Sequence, residues 1–160
     1  MNKKIALYGM LIALAFVLNY IENIFSFASI TYGMKLGLAN VVVLAAFYIL
    51  GYKEAFGISI VRIILAGITF GNLFSMWYSL AGGLLSYVFM ALGKKSNIFS
   101  IKGVSILGGI THNIGQIFVA VIVLGTSKIA WSLPLLLVSG TVAGFVNGIL
   151  GAMVVDRVKM

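Results

Sequence analysis

Val104 to Leu124 reads VSILGGITHNIGQIFVAVIVL, with no acid, lysine or arginine in the run. About 20 such residues in a helix suffice to cross the hydrocarbon core of a bilayer. Helical spacing then puts Gly108, His112 and Gln116 on one stripe, with Gly109 and Asn113 beside it. Amide and imidazole groups at that depth are costly and belong in a polar pocket or at a helix contact. This one segment reads as a membrane span that carries chemistry.

Five more apolar segments flank it: Ile5 to Ile21, Leu36 to Leu50, Ala55 to Phe70, Leu73 to Leu92 and Trp131 to Val155. The second and third of the six are short, so they extend into their flanks or thin the bilayer locally. Six spans of about 20 residues nearly fill a chain of 160 residues. Apolar residues make up 62% of the sequence and charged ones only 9%, against roughly 25% in soluble domains. The expected fold is all-α, a single integral membrane domain over 1–160 with six transmembrane helices. A separate soluble catalytic domain has no room. Gly51-Tyr52-Lys53-Glu54 is the tight turn of a helical hairpin, and Pro134 suits the first turn of the last helix.

A net charge of +8 would suggest nucleic acid in a soluble protein, but here it follows topology. With both termini cytoplasmic, that side holds Lys3, Lys4, Lys53, Lys94, Lys95, Lys102, Arg157 and Lys159. Only Lys35 and Lys128 fall outside, and Arg62 lies within a span. No nucleic-acid partner is expected. The expected location is a cell membrane, crossed several times, as in a bacterial plasma membrane. Lys3 and Lys4 before an apolar run, with Ser26-Phe27-Ala28 downstream, weakly imitate a leader; the long aromatic stretch before that site argues against cleavage.

Arg62 is the costliest residue to place, and it must face protein or water. A guanidinium binds carboxylate or phosphate through paired hydrogen bonds, so Arg62 is a candidate anchor for a ligand. The competing role is structural, bonded to helix-end carbonyls. No acid falls inside the six segments as drawn, which argues against a buried ion pair. Asn40 and Asn72 extend the polar set outward, and Lys35 ends a loop that starts at Glu22 and contains Phe25, Phe27 and Tyr32. That loop is either a lid on a pocket mouth or an interfacial segment. Trp77 and Tyr78 offer rings for stacking or for the aromatic belt, Trp131 reads as belt, and Asn147 as helix glue. Gly140, Gly144, Gly148 and Ala152 form a close-packing seam, and Gly9 with Ala13 a shorter one.

Several of these stretches resemble one family along nearly the whole chain: Lys35-Leu36-Gly37-Leu38-Ala39-Asn40, Arg62 with Gly67 to Asn72, Ser79-Leu80-Ala81-Gly82-Gly83, and Thr111 to Gln116. The family is that of the Gx transporters, often labelled heptaprenyl diphosphate synthase component I. It looks like a branch of the substrate-binding S-components of energy-coupling-factor (ECF) vitamin transporters. The resemblance implies six helices, a micronutrient bound near the outer face, and docking through a small-residue motif on helix one. The implied partners are a membrane coupling protein and two ATPase subunits. Gly9-Met10-Leu11-Ile12-Ala13 matches the AxxxA docking motif with Gly in place of the first Ala.

The enzyme label can be tested on its chemistry. Prenyl diphosphate synthases hold Mg²⁺ and diphosphate with clustered carboxylates. This chain has three acids, Glu22, Glu54 and Asp156, and neither a Walker A loop nor a nucleophile–base pair. With no cysteine and one histidine, no metal site or cofactor is expected. The reading is a non-enzymatic membrane subunit binding a small anionic or strongly hydrogen-bonding ligand. Its site would comprise Lys35, Asn40, Arg62, Asn72, Trp77, His112, Asn113 and Gln116, with Gly9 and Ala13 for docking. The alternative is a non-catalytic accessory subunit of an isoprenoid synthase complex. A channel fits less well, since no ring of polar residues recurs.

Overall fold

The computed structural model describes residues 2–27 and 37–159. All its regular elements are helical: α1 (Asn2–Phe27), α2 (Leu38–Ile49), α3 (Tyr52–Phe70), α4 (Leu73–Lys95), α5 (Ile101–Leu124), a 3₁₀ turn (Ser127–Ser132) and α6 (Leu133–Lys159). Four helices, α1, α4, α5 and α6, are long and apolar enough to cross a membrane, α6 together with the turn before it. The chain is a helical membrane bundle. Pro134 lies in the first turn of α6, where its missing N–H leaves nothing unpaired.

The central helix is α5, packed between α4 and α6. Both crossings bring backbone against backbone. A Cβ on Gly115 would lie 2.8 Å from the Ala81 carbonyl oxygen and 2.9 Å from Gly82 Cα. On the other side, a Cβ on Gly140 would lie 2.7 Å from the Gly109 oxygen, and one on Gly144 2.8 Å from Ile106 Cα. Without an aqueous driving force between helices, such approach maximises van der Waals contact. Gly140, Gly144 and Gly148 are thus an internal seam. The outer surface is left to large apolar side chains such as Ile68, Phe118 and Val138.

At one end of the bundle Leu44, Phe47, Ala55, Ile58, Met90 and Val104 form a core that joins α2, α3, α4 and α5. Lys94 closes it by donating to the Phe47 carbonyl at 2.8 Å, with its ammonium 4.5–4.7 Å from the ring centres of Phe47, Tyr48 and Tyr52. The first turns of α1, α3 and α5 and the last turns of α4 and α6 meet here, so Lys4, Lys53, Lys94, Lys95, Lys102 and Arg157 gather at one end.

One expectation changes. The first helix runs past Ile21 to Phe27, so Glu22 is a helical residue and not the first of a loop. Its side chain is 6% exposed and accepts the Gly37 N–H, which is why the charge does not end the helix. The rest of the expected loop, with Lys35, lies outside the described residues. The second segment is short, as its sequence implies: α2 has 12 residues, roughly 18 Å, against a hydrocarbon core of about 30 Å. Its start is recessed: a Cβ on Gly37 would lie 3.2 Å from Asn147 Nδ2, and Asn147 is roughly 21 Å along α6 from Leu133. Gly37 takes a left-handed conformation (φ 71) to enter this half-length helix.

Candidate functional site

The recess of α2 leaves space between the helices. A cavity of about 480 Å³ opens there, bounded outward by Asn19, Gly71 and Ser132 and reaching inward to Ser105 and Asn147. Hydroxyl, amide and charged groups line it, although the surrounding helices turn apolar faces outward.

Arg62 is the centre of this lining. Facing into the bundle from α3, it is 8% exposed and donates from one terminal nitrogen to Asn40 Oδ1 on α2. Its Nε is buried with no hydrogen-bond partner among the described residues. An unmet guanidinium N–H at that depth is costly, and a ligand oxygen would satisfy it. Asn40 is itself fixed, since its own N–H donates to the Gly37 carbonyl at 2.7 Å. Glu22 lines the same cavity, close enough for its carboxylate to attract the Arg62 guanidinium.

Opposite stand the polar groups of α5. His112 and Gln116 press on Gly82 of α4: a Cβ there would lie 2.8 Å from the His112 carbonyl, 2.9 Å from Gln116 Cγ and 3.1 Å from the imidazole Cε1. The missing side chain at Gly82 is what leaves both groups room to turn toward the cavity. Arg62 and His112 are within Coulombic reach of one another. Asn113 also lines the space, but its amide donates to the Leu136 carbonyl and so ties α5 to the start of α6.

The structure therefore brings Asn40, Arg62, His112, Asn113 and Gln116 to one cavity. It does not bring Asn72 or Trp77. Asn72 caps α4 in a reciprocal box, its Oδ1 accepting from Ser75 N–H at 2.8 Å and its N–H donating to Ser75 Oγ at 2.9 Å. Trp77 is 57% exposed on the outside of the bundle, one position from Tyr78, which does face the cavity. Lys35 lies outside the described residues. Sequence reasoning missed Glu22, Ser59 and Ser105 as lining groups and took Asn147 for helix glue alone; all four are buried polar residues at the cavity wall. The signal for Glu22 was present, as an acid one position beyond an apolar run. Isolated serines in apolar helices carry none.

A family model described as heptaprenyl diphosphate synthase component I matches residues 11–154. The chain belongs to that family. The match takes in every described element that lines the cavity, from α1 to α6. The resemblance read from Arg62 and the Thr111 to Gln116 stretch led to the same family. Its description names one component of a synthase, which implies partner subunits. No curated protein and no solved structure shows significant similarity to the chain.

Proposed function

We propose that this heptaprenyl diphosphate synthase component I homologue is the membrane-embedded substrate-binding subunit of an uptake system, of the S-component type. It would cross a cell membrane several times with its basic end in the cytoplasm and take a micronutrient-sized ligand, anionic or strongly hydrogen-bonding. The observation that carries this reading is the buried Arg62, with an N–H unmet among the described residues, facing a polar cavity large enough for a small molecule. A scaffold has no use for such a cavity. Catalysis is not proposed: Glu54 and Asp156 lie at the basic end, remote in sequence position and element from Glu22. ATP hydrolysis would come from partners, a coupling protein with two ATPase subunits.

The second reading is a non-catalytic accessory subunit of a heptaprenyl diphosphate synthase, favoured by the family's description alone. Purification from the native membrane separates the two. A small molecule released on denaturation and detected by mass spectrometry is expected. Recovery of a soluble prenyl synthase in stoichiometric amount, with no released compound, would favour the second reading instead.

Docking on the first helix has its own support. Gly9 and Ala13 are exposed, and a Cβ on Gly9 would meet nothing within 4 Å. Among the described residues the bundle makes no use of the Gly9 position, which leaves this face open to another helix. Replacing both residues with Trp should abolish uptake and co-purification of the coupling protein, while ligand binding to the isolated subunit persists. Normal uptake by the double variant would remove this face from the docking surface.

A further inference from the structure

We infer that the inner end of the cavity is a subsite for an uncharged, hydroxyl-bearing arm of the ligand, held by Ser59, Ser86 and Ser105 while an acceptor group sits at Arg62. This inference rests on the substrate-binding role proposed above. It adds a chemistry for the part of the ligand that Arg62 does not meet.

A serine or threonine inside an apolar helix can return its hydroxyl to a carbonyl three or four residues back. Thr111, Ser139 and Thr141 do so, donating to Leu107 at 2.7 Å, Leu136 at 3.0 Å and Leu137 at 2.8 Å. Ser59, Ser86 and Ser105 do not: they line the cavity and make no hydrogen bond among the described residues. Ser59 and Ser105 are only 6% and 7% exposed, so their hydroxyls are held away from bulk water. A buried hydroxyl left unpaired is costly, and a partner within the cavity removes that cost. The three come from three helices, α3, α4 and α5. Glycines let them crowd together: a Cβ on Gly108 would lie 3.1 Å from Ser86 Oγ, and one on Gly148 3.1 Å from Ser105 Cβ.

Depth separates these groups from Arg62. Both α3 and α5 start at the basic end, so Ser59 lies about 4.5 Å inward of Arg62, and Ser105 about 10 Å inward of His112. Leu44 and Met90 belong both to this lining and to the apolar core beneath it, which closes the space inward. The chemistry of the three serines then decides what fits. None of them carries charge, so a second ionic group on the ligand would be buried without a counter-charge from them. An apolar arm would leave three hydroxyls unmet. Hydroxyls on the ligand meet them both ways, since each hydroxyl donates once and accepts twice. A site built to bond a hydroxyl also rejects the analogue that lacks it.

The test uses the full chain in detergent, with sodium gluconate and sodium acetate as probes and sodium chloride at equal ionic strength as control. Acetate offers Arg62 a carboxylate alone, and gluconate adds a hydroxylated chain. Gluconate should raise the melting temperature of wild type more than acetate does. The variant Ser59→Ala with Ser105→Ala removes two hydroxyls that bond nothing in the protein, so without ligand it should melt at or above wild type. Its apparent affinity for gluconate, read from the concentration dependence of the melt, should fall about 5- to 150-fold, the loss of two neutral hydrogen bonds. Gluconate no better than acetate on wild type would mean that the inner end holds only water, and would overturn the inference. An unchanged gluconate response in the double variant would do the same. So would a double variant that melts well below wild type, because its hydroxyls would then be structural. The binding role fails separately: wild type that releases no small molecule on denaturation would remove it. A released compound without hydroxyls would sink only the inner subsite.

Discussion

Arg62→Lys is expected to weaken binding of the co-purified compound by about 10- to 150-fold while the protein melts within a few degrees of wild type. Lysine keeps the positive charge. It loses the planar fork and has no counterpart of the guanidinium Nε, the atom left unpaired among the described residues. Losing a hydrogen bond to a charged group typically costs about 1.5–3 kcal/mol, which sets that range. Gln116→Ala should weaken binding in the same direction from the opposite wall, since both residues line one cavity. If they hold one ligand, the double variant loses less or more than the sum of the singles. Arg62→Ala is the poorer probe: it also removes the hydrogen bond to Asn40 and the buried side chain itself, and so lowers the melting temperature as well. Calorimetric titration beside thermal melts checks all four variants. Wild-type affinity in Arg62→Lys would mean that the unpaired N–H does not face the ligand.

How much of this was legible in the sequence depended on how costly each residue is in an apolar setting. His112, Asn113 and Gln116 declared themselves because three polar groups interrupt a spanning run, and Arg62 because a charge there must be sheltered. The structure places all four at one cavity. Depth along a helix is fixed by residue count, but rotation about its axis is not. Trp77 and Tyr78 are neighbours in sequence, yet one faces outward and the other the cavity. Asn72 carried no mark to separate a ligand group from a helix cap, and its reciprocal bonds with Ser75 settle its local role. The larger gap was at the ends of helices. Hydropathy ended the first span at Ile21, because a carboxylate looks like a boundary when its partners are unknown. One of those partners, the Gly37 N–H, is 15 positions away in sequence. The short second run was legible as short; its start beside Asn147, deep in the bundle, was not.

Gly109→Val should abolish the folded bundle, and Gly9→Val should leave it unchanged. A Cβ on Gly109 would fall inside contact distance of the Gly140 carbonyl oxygen and 3.3 Å from Gly144 Cα. These are backbone atoms of a packed helix, so no rotamer change can make room. The only relief is to move α6 away from α5, and that would also strip the Asn113 amide from the Leu136 carbonyl. Overpacking a core by a methylene or two typically costs about 1–3 kcal/mol when side chains can yield. Here they cannot, so the loss should reach at least about 3 kcal/mol, a large share of any folded protein's stability. The cavity depends on the same crossing, because α5 and α6 form two of its walls. A partly folded Gly109→Ala variant should therefore lose ligand affinity as well as melting temperature. On α1 the same substitution at Gly9 meets open space, where a Cβ finds no atom within 4 Å. Thermal melts and size-exclusion profiles of the three variants in detergent make the comparison. A Gly109→Val protein that melts like Gly9→Val would mean that α5 and α6 do not cross at these glycines, and the cavity between them would have to be redrawn.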